Sequence, residues 1–372
     1  MSVDRNELLG NPARGSSLET WAPGRVNLIG EHTDYSGGLV LPVAIQLGVK
    51  VEVHTRANEI SLTSTLLGSA PPFRADGAWP KAAGWARYAQ SVAAELAVLG
   101  RPTVGLVATV SSDLPAGSGL SSSAALEVAI GLALCAVAEW ELEPMELALA
   151  CQRAELRAVG VPCGILDQAA SILGREGAAV LLDCGTLEHR LVRMPSRAAL
   201  LIVDSGVERS LENTAYAQRR GELEDALRAV GAERSTDVQP SDLDRVEGVA
   251  QRRLRHVVTE NERVRRFAAA LESDDLASAG ELLTASHTSL RDDYEVSISE
   301  LDLLVGLALD AGAHGARLLG AGFGGTVLVL VDEDAGDDVA RLLREGYGSR
   351  TGRDCRPLTV FASEGATVRR VS

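Results

Sequence analysis

The sequence predicts a protein of mixed helices and strands, arranged as two lobes around a cleft. Its 372 residues are more than a single hydrophobic core usually serves. Hydrophobic residues make up 46% of the chain and aromatic residues only 3%, so Ala, Val, Leu and Gly supply most of the core. That composition suits layered α/β packing better than an aromatic-rich β-sandwich. Segments typical of strands and of helices both occur along the chain.

The first half of the chain alternates between the two kinds of segment. Val26, Leu28 and Ile29 look like the end of a strand. Helical spacing of apolar residues predicts a helix over 81–99. Residues 123–140 would be apolar on nearly every face of a helix, which predicts a second helix that is buried. A further helix is predicted over about 144–158, and strands over 39–66, 103–115, 177–184 and 199–206.

The second half begins with a charged stretch. Residues 207–267 predict helices, interrupted at 233–242, where Pro240-Ser241 opens the next helix. This stretch is where we expect a second lobe to start. Further helices are predicted over 275–290 and 297–311, followed by a glycine-rich turn and a strand.

Charge and cysteine content exclude several classes of protein. The net charge of −15 and the pI near 4.9 argue against a nucleic-acid or anionic-membrane partner. The five cysteines are odd in number and form no C-x-x-C pair, so a disulfide framework or zinc site is not expected. No segment resembles a signal peptide or a membrane span. We therefore expect a cytoplasmic protein.

Lysine is almost absent, which restricts how a phosphate could be bound. The chain has only Lys50 and Lys81, and neither follows glycine and precedes serine or threonine. A Walker-type P-loop is therefore excluded. Any phosphate must be held by backbone N–H groups, arginine or a metal.

A first motif, "GRVNLIGEHTDYSGG" at 24–38, sets an apolar run against a cluster of charge. Arg25, Glu31, His32 and Asp34 gather at one turn near the N-terminus. Taken alone, the acids and the histidine could form a solvated hairpin tip.

The second motif, "DLPAGSGLSSSAALEVA" at 113–129, leads from a strand through glycines and serines into a helix. Glycines allow backbone N–H groups to approach a ligand, and a helix N-terminus favours anions. A serine hydroxyl there could also bind Mg²⁺. The alternative is an ordinary helix cap with a flexible loop. The motif is not a Rossmann fingerprint, because Ser122 occupies the position of the third glycine.

The third motif, "LLGAGFGGTVLVLV" at 318–331, could by itself be a tight turn before a strand. The three motifs occur in this order, with "CGILDQAAS" at 163–171 and "SHTSLRDDYEVS" at 286–297 between them. Together they resemble the galactokinases of the GHMP kinase superfamily, from about Trp21 to Val331. Two positions beside the motifs depart from the family: Leu318-Leu319 replaces Met-Thr, and Ile298-Ser299 replaces Cys-Pro.

The resemblance implies an α+β fold with two GHMP kinase lobes and an active site between them. The N-terminal lobe, with a mixed sheet and helices, would span 1–197. The C-terminal α+β lobe, with an antiparallel sheet, would span 198–372.

It also implies an activity. A member of this family transfers the γ-phosphate of ATP to the C1 hydroxyl of D-galactose with Mg²⁺, giving α-D-galactose 1-phosphate in the Leloir pathway. The residues implied to hold the sugar are Glu31, His32, Thr33, Asp34, the backbone of Gly164, and Tyr216 from the other lobe. A metal site built from His32 and Asp34 is the alternative, but Mg²⁺ rarely chooses imidazole.

Asp167 is implied as the general base that takes the proton from the sugar C1 hydroxyl. Arg25 would keep Asp167 ionised and stabilise charge on the transferring phosphoryl group. The alternative for Asp167 is a structural helix cap.

The remaining implied residues bind ATP and the metal. The loop 117–123 would wrap the phosphates with backbone N–H groups, and Ser64 would touch the nucleotide. Ser123 and Glu155 would bind Mg²⁺, although Glu155 on a surface helix could equally be solvated. The loop residues concerned are Gly117, Ser118, Gly119, Leu120, Ser121, Ser122 and Ser123.

Two other functions stay open at this point. The chain could be a GHMP kinase for another sugar, such as N-acetylgalactosamine or arabinose, because the pocket near the sugar C2 is set in three dimensions. It could also be a galactose and ATP sensor that no longer phosphorylates, although Arg25, Ser123-Ala124 and Asp167 are all present. We expect only small-molecule partners, D-galactose and ATP, and a monomer or weak dimer.

Overall fold

The computed structural model describes residues 17–78, 82–115, 117–160, 163–207 and 212–371. Lys81 and the N-terminal segment examined for a signal peptide lie outside these ranges. The strands of the described residues, in chain order, are β1 (Ser17–Asn27), β2 (Leu39–Val40), β3 (Pro42–Ala57), β4 (Glu59–Ser64), β5 (Gly68–Ser69), β6 (Phe73–Arg74), β7 (Gly105–Ser112), β8 (Ala178–Asp183), β9 (His189–Arg193), β10 (Ala198–Asp204), β11 (Gly315–Leu319), β12 (Thr326–Asp332), β13 (Arg356–Val360) and β14 (Thr367–Val371). The helices are α1 (Ala86–Val98), α2 (Ser122–Val137), α3 (Pro144–Val159), α4 (Leu166–Leu173), α5 (Glu212–Val230), α6 (Gly248–Glu272), α7 (Leu276–Asp292), α8 (Ser299–Asp310) and α9 (Gly336–Thr351).

The first lobe is built on a seven-stranded sheet in the order β14-β1-β3-β7-β4-β5, with β6 beside β4. The β4–β7 pair is parallel and the other pairs of this sheet are antiparallel, so the sheet is mixed. The strand β14 comes from the far end of the sequence and pairs with β1 at the sheet edge. Within 39–66, where strands are predicted, Pro42–Ala57 forms one long strand, β3.

Helices α1 to α3 pack together beside this sheet, and α2 also contacts β1 and β3. The prediction of a buried helix after the second motif is confirmed, because α2 buries residues on all its faces, from Ala124 to Val137. A small antiparallel sheet of β2, β8 and β9 lies beside α4. The sheet and α4 share a small core that contains Val40, Ile165, Leu166, Val180 and Leu182.

The second lobe contains an antiparallel sheet in the order β11-β12-β10-β13. Alternate side chains of β10 point to opposite faces of this sheet. Leu200 and Ile202 join the core of the first lobe, and Leu201 and Val203 join a separate core beneath α5, α8 and α9. The continuous apolar runs of β10 and β12 therefore reflect burial on both faces.

The predicted α+β class, with a mixed sheet and an antiparallel sheet, is confirmed. The departures from prediction are local. Pro240 opens a short 3₁₀ turn, Pro240–Arg245, and the next α-helix begins separately at Gly248. The unusual Leu318 and Leu319 are both buried, one in each core. No helix in the described part of the chain is long and apolar enough to cross a membrane.

Candidate active site

A cavity of about 890 Å³ lies between the lobes and brings the three motifs together. The residues implied by resemblance that line it are Arg25, Glu31, His32, Asp34, Gly117, Ser118, Gly119, Leu120, Ser121, Ser122, Ser123, Gly164, Asp167 and Tyr216. Gly320, Ala321 and Gly325 of the third motif line it as well. Thr33, Ser64 and Glu155 are not among its lining residues. The sequence motifs therefore meet at one cleft.

The charged turn after β1 is held by the second lobe rather than exposed. Oε1 of Glu31 accepts hydrogen bonds from Nη2 of Arg317 at 3.1 Å and from the backbone N–H of Gly320 at 2.9 Å. Burial acts to raise the pKa of Glu31, but Arg317 and the Gly320 N–H outweigh burial and lower the pKa. Glu31 is thus an anion in the cavity wall, and the turn is not a solvated hairpin tip.

The backbone of the same turn is supported from helix α6. The N–H of Gly30 donates to Oε1 of Glu260, and Nε2 of His256 lies 3.0 Å from the carbonyl oxygen of Glu31. The side chains of His256 and Glu260 are fully buried. Thr33, which is predicted to bind the sugar, also supports this turn. Its hydroxyl lies 2.8 Å from the Gly30 carbonyl oxygen and 2.7 Å from the Leu39 carbonyl oxygen.

Asp34 lines the cavity. Burial, Asp167 and Glu31 raise the pKa of Asp34 to about 7, although the neighbouring backbone N–H of Tyr35 acts to lower the pKa of its carboxyl group. A Cβ at position 164 would lie 2.0 Å from Oδ2 of Asp34, so only glycine fits there. Gly164 therefore keeps the Asp34 carboxylate at the cavity surface, where its lone pairs can accept hydrogen bonds from a ligand.

His32 is buried and electrically neutral. Burial lowers its pKa to about 3. Its Nδ1 lies 2.9 Å from the hydroxyl of Tyr35, and its ring lies 5.9 Å from the ring of Tyr216 on α5. Tyr216 therefore lines the cavity from the second lobe.

Asp167 lies where the sugar turn meets the glycine-serine loop. Its Oδ1 accepts from Nε of Arg25 at 2.6 Å, and its Oδ2 accepts from the hydroxyl of Ser121 at 2.5 Å. Nη1 of Arg25 also donates to the Gly119 carbonyl at 2.9 Å. The carboxylate of Asp167 is therefore bound by side chains across the cleft, and it does not cap its own helix, α4.

The glycine-serine loop runs along the cavity into the N-terminus of α2. Gly117 and Gly119 have φ angles of +73° and +71°, and Ser121, the N-cap residue, has a φ of +58°. The hydroxyl of Ser121 is engaged by Asp167 and does not cap the first turn, so the first N–H groups of α2 have no side-chain cap. Such a helix end binds anions readily.

Ser123 and Glu155 are in contact behind this loop. The Ser123 hydroxyl donates to Oε1 of Glu155 at 2.8 Å. Oε2 of Glu155 accepts from Nε2 of Gln168 at 2.8 Å and from the Cys163 thiol at 3.2 Å, so Glu155 is not merely solvated. Burial and the nearby Glu155 raise the pKa of Glu127, which also accepts from Gln168, to about 10.

Ser123 and Glu155 suit a magnesium ion whose other ligands come from phosphate and water rather than from protein side chains. Among the described residues no group of three His, Cys, Asp or Glu side chains could hold a metal. A hydroxyl and a carboxylate side by side are hard oxygen donors, and Mg²⁺ typically uses one or two protein ligands together with phosphate oxygens and water. The residues present therefore fit a metal bound with a nucleotide.

Ser64 lies at the end of β4, away from the cavity. Its hydroxyl accepts from the backbone N–H groups of Leu66 and Leu67. The side chains of both leucines are exposed, at 76% and 62%. Ser64 therefore supports the turn that displays them.

Sequence reasoning missed the second-lobe residues that hold the sugar turn. Arg317 is fully buried, and it also donates to the carbonyl oxygens of Asn27 and Leu28. The signal was present, since Arg317 is a lone charge in the apolar strand β11. Tyr294 lies in the segment 286–297, but its contact with Tyr35 joins segments that are far apart in the sequence.

Comparison with known families agrees with these motifs. Three family models match: the galactokinase galactose-binding signature over residues 15–55, the GHMP kinases N terminal domain over 87–175, and the GHMP kinases C terminal domain over 267–348. The galactokinase of Chloroflexus aurantiacus is 42% identical over 363 residues, covering 93% of this chain and 92% of that protein. The galactokinase of Homo sapiens is 41% identical over 346 residues, covering 89% and 88%.

Comparison with solved structures finds a similar fold in other kinases. Lactococcus lactis galactokinase, complexed with galactose, has a TM-score of 0.89 at 31% identity and covers 97% of both chains. The mevalonate kinase of Methanococcus jannaschii has a TM-score of 0.69 at 21% identity, covering 95% of this chain and all of that one, which shows a shared fold.

Proposed function

The chain belongs to the galactokinase family of the GHMP kinase superfamily, and from this premise we propose how its cleft transfers the γ-phosphate of ATP to the C1 hydroxyl of D-galactose. The observation that carries the proposal is the position of Asp167. It joins Arg25 and Ser121 at the point where the sugar turn meets the glycine-serine loop. A sugar hydroxyl and a phosphoryl group bound at these two places would meet beside Asp167.

The sugar is held by the turn after β1. Asp34 offers carboxyl oxygens to the sugar hydroxyls, and Glu31 contributes a fixed anion in the same wall. Gly164 leaves room for Asp34, and Tyr216 covers the sugar from the second lobe. Because buried acceptors lose a partner when one hydroxyl is inverted, glucose should be phosphorylated much less efficiently than galactose.

Asp167 acts as the general base. It takes the proton from the C1 hydroxyl as that oxygen attacks the γ-phosphorus and the bond to the β-phosphate oxygen breaks. Arg25 holds the Asp167 carboxylate in place and presents positive charge to the developing phosphoryl group. Ser121 orients the second carboxylate oxygen. This intact assembly favours phosphoryl transfer over a sensor that binds without reacting.

The loop 117–123 holds the ATP phosphates with backbone N–H groups at the start of α2. Ser123 and Glu155 would hold Mg²⁺, and Gln168 keeps Glu155 oriented toward Ser123. When bound, the metal would neutralise phosphate charge that this lysine-poor site cannot neutralise alone. We further infer that the protein works in the cytoplasm, where ATP is supplied, as a monomer or weak dimer, since one chain contributes all the residues proposed here.

The test is ATP-dependent phosphorylation of galactose, with the position of the phosphate identified by ³¹P and ¹H NMR. The expected product is α-D-galactose 1-phosphate. Parallel assays use glucose, N-acetylgalactosamine and arabinose, and Asp167→Asn serves as the inactive control. Equal efficiency on glucose and galactose, or a higher efficiency on N-acetylgalactosamine or arabinose, would contradict the proposed substrate.

A further inference from the structure

A chain of buried polar side chains lies behind the pair of Ser123 and Glu155. Nε2 of Gln168 donates one hydrogen to Oε2 of Glu155 at 2.8 Å and the other to Oε2 of Glu127 at 3.1 Å. Gln168 lies on α4 and Glu127 on α2, and both residues are fully buried. Gln168 thus joins Glu155 to a second acid that the proposed mechanism does not use.

The hydrogen bonds of this chain leave two oxygens without a donor. Oε1 of Glu127 and Oε1 of Gln168 are both buried, and neither has a hydrogen-bond partner among the described residues. If Glu127 is ionised, both atoms are acceptors, and two buried acceptors without a donor are costly. A hydrogen on Oε1 of Glu127 removes this cost, because that oxygen then donates and the amide oxygen of Gln168 accepts.

The charges around Glu127 favour the same protonated form. Burial raises its pKa most, Glu155 and Asp167 also raise it, and the hydrogen bond from Gln168 lowers it, so that the pKa reaches about 10. No cation is among these groups. An ionised Glu127 would be a second buried negative charge near Glu155, without a positive partner. The protonated acid avoids that charge and still offers Gln168 one acceptor and one donor.

We propose that Glu127 is a neutral carboxylic acid that binds the Gln168 amide with two hydrogen bonds. The two residues together orient Glu155, so that its carboxylate meets a metal beside Ser123. With both hydrogens of Nε2 engaged and its oxygen accepting, the Gln168 amide is held in one orientation. Glu127 is a positioning residue, since it acts through Gln168. Its role toward the metal rests on the proposed function, whereas its proton is a property of the protein without ligands.

The proton is tested by denaturant unfolding in the presence of a chelator, without metal or nucleotide. The ordinary pKa of a glutamate is 4.5, so between that value and about 10 folding takes up a proton at Glu127, and stability falls as the pH rises. Glu127→Gln has no such proton. Between pH 7 and pH 9 the unfolding equilibrium constant of the wild type should therefore rise about tenfold per pH unit more steeply than that of Glu127→Gln.

Glu146→Gln, at an exposed carboxylate on α3, is the control for this experiment and should show the wild-type pH dependence. Equal pH dependences of the wild type and Glu127→Gln would show that Glu127 is ionised, which would overturn the proposal.

The positioning role is tested by the Mg²⁺ dependence of ATP binding, measured by calorimetry without galactose so that no turnover occurs. Glu127→Leu cannot bind the Gln168 amide, so the Mg²⁺ concentration that gives half of the full ATP affinity should rise about tenfold. Glu127→Gln keeps a donor and an acceptor for that amide and should restore most of the Mg²⁺ response. Gln168→Met removes the same link from the other side and should act as Glu127→Leu does, which provides a second variant if the first does not fold.

A wild-type Mg²⁺ dependence in Glu127→Leu or in Gln168→Met would overturn the positioning role. An equally large rise in Glu127→Gln would show that the charge of Glu127 is required, and would overturn the neutral acid. Failure of the wild-type protein to phosphorylate galactose would instead contradict the proposed function, while the unfolding experiment, which needs no ligand, would still decide the state of Glu127.

Discussion

Arg317 in β11 donates from Nη2 to Oε1 of Glu31, so a buried cation of the second lobe neutralises the first acid of the sugar turn. The same guanidinium donates to the backbone carbonyls of Asn27, Leu28 and Leu318. The pair orders the sugar turn before any ligand arrives, which lowers the cost of binding.

Replacing Arg317 should destabilise the protein strongly. Arg317→Met keeps the length of the side chain but leaves Glu31 buried and unpaired, which should cost about 3–5 kcal/mol of unfolding free energy. The measurement is denaturant unfolding followed by circular dichroism. Arg341→Met is the control, because Arg341 is 54% exposed and pairs only with surface acids, and it should change stability by no more than about 0.5 kcal/mol. Similar stabilities of the two variants would show that the buried pair does not hold the turn.

Removing the proposed base should affect turnover and spare sugar binding. Asp167→Asn should lower kcat by about 10²-fold or more, since the amide cannot take the C1 proton. Galactose affinity, measured by calorimetry, should stay within about threefold. Asp225→Asn, at a side chain 75% exposed on α5, should behave as wild type. If Asp167→Asn turned over at the wild-type rate, Asp167 would be structural.

Gly119→Val tests the phosphate loop. At a φ of +71° a valine is strained, and its side chain would push the loop backbone away from the phosphates, so ATP binding should be lost while galactose binding remains. Gly231→Val is matched for backbone strain, with a φ of +73° and no atom within 4 Å of a new Cβ. It should retain ATP binding. Calorimetric titration with ATP and with galactose separates the two effects, and unaltered ATP affinity in Gly119→Val would place the nucleotide elsewhere.

Glu155→Gln should change the dependence on magnesium. The neutral amide is a weaker ligand, so the Mg²⁺ concentration for half-maximal activity should rise about tenfold, with a smaller effect on ATP affinity at saturating metal. Glu146→Gln on the same helix, α3, removes an exposed carboxylate and should leave the Mg²⁺ requirement as it is. A wild-type metal dependence in Glu155→Gln would exclude Glu155 as a ligand.

His256 should make the fold sensitive to mild acid. Burial lowers its pKa from 6.5 to about 4, so unfolding takes up a proton between these pH values. Neutral His256 therefore contributes its full stabilisation above pH 6.5. The free energy of unfolding falls as the pH drops toward 4, by about 2 kcal/mol at pH 5. His32 acts in the same direction. Denaturant unfolding at pH 7.5 and pH 5 should show a smaller fall for His256→Gln than for wild type, and an equal fall would contradict the assignment.

The secondary structure and the residues that line the cleft could be predicted from the sequence better than the long-range contacts that hold those residues in place. The motifs at 24–38 and 113–129 named side chains that do line one cavity, because glycines and a helix start mark such sites locally. Thr33 lies in the same motif, yet its side chain faces the backbone. A motif specifies which residues are close in sequence and not which way each side chain points.

The supporting contacts depend on tertiary structure. Arg317, Tyr294 and Glu260 contact the sugar turn from positions that follow it by more than 200 residues. Hydrophobic periodicity carries no information about such pairs. The pairing of β14 with β1 was missed for the same reason, and the boundary at residue 197 remains a prediction.

The pairing of β14 with β1 has a consequence for biosynthesis. Until Thr367–Val371 has left the ribosome, β1 is an unprotected edge, and its free N–H and C=O groups can recruit strands from other molecules. The catalytic turn follows directly from that strand. Completion of the first lobe is thus deferred until β14 has been synthesised, and the nascent chain carries this exposed edge, which is prone to aggregation, until then.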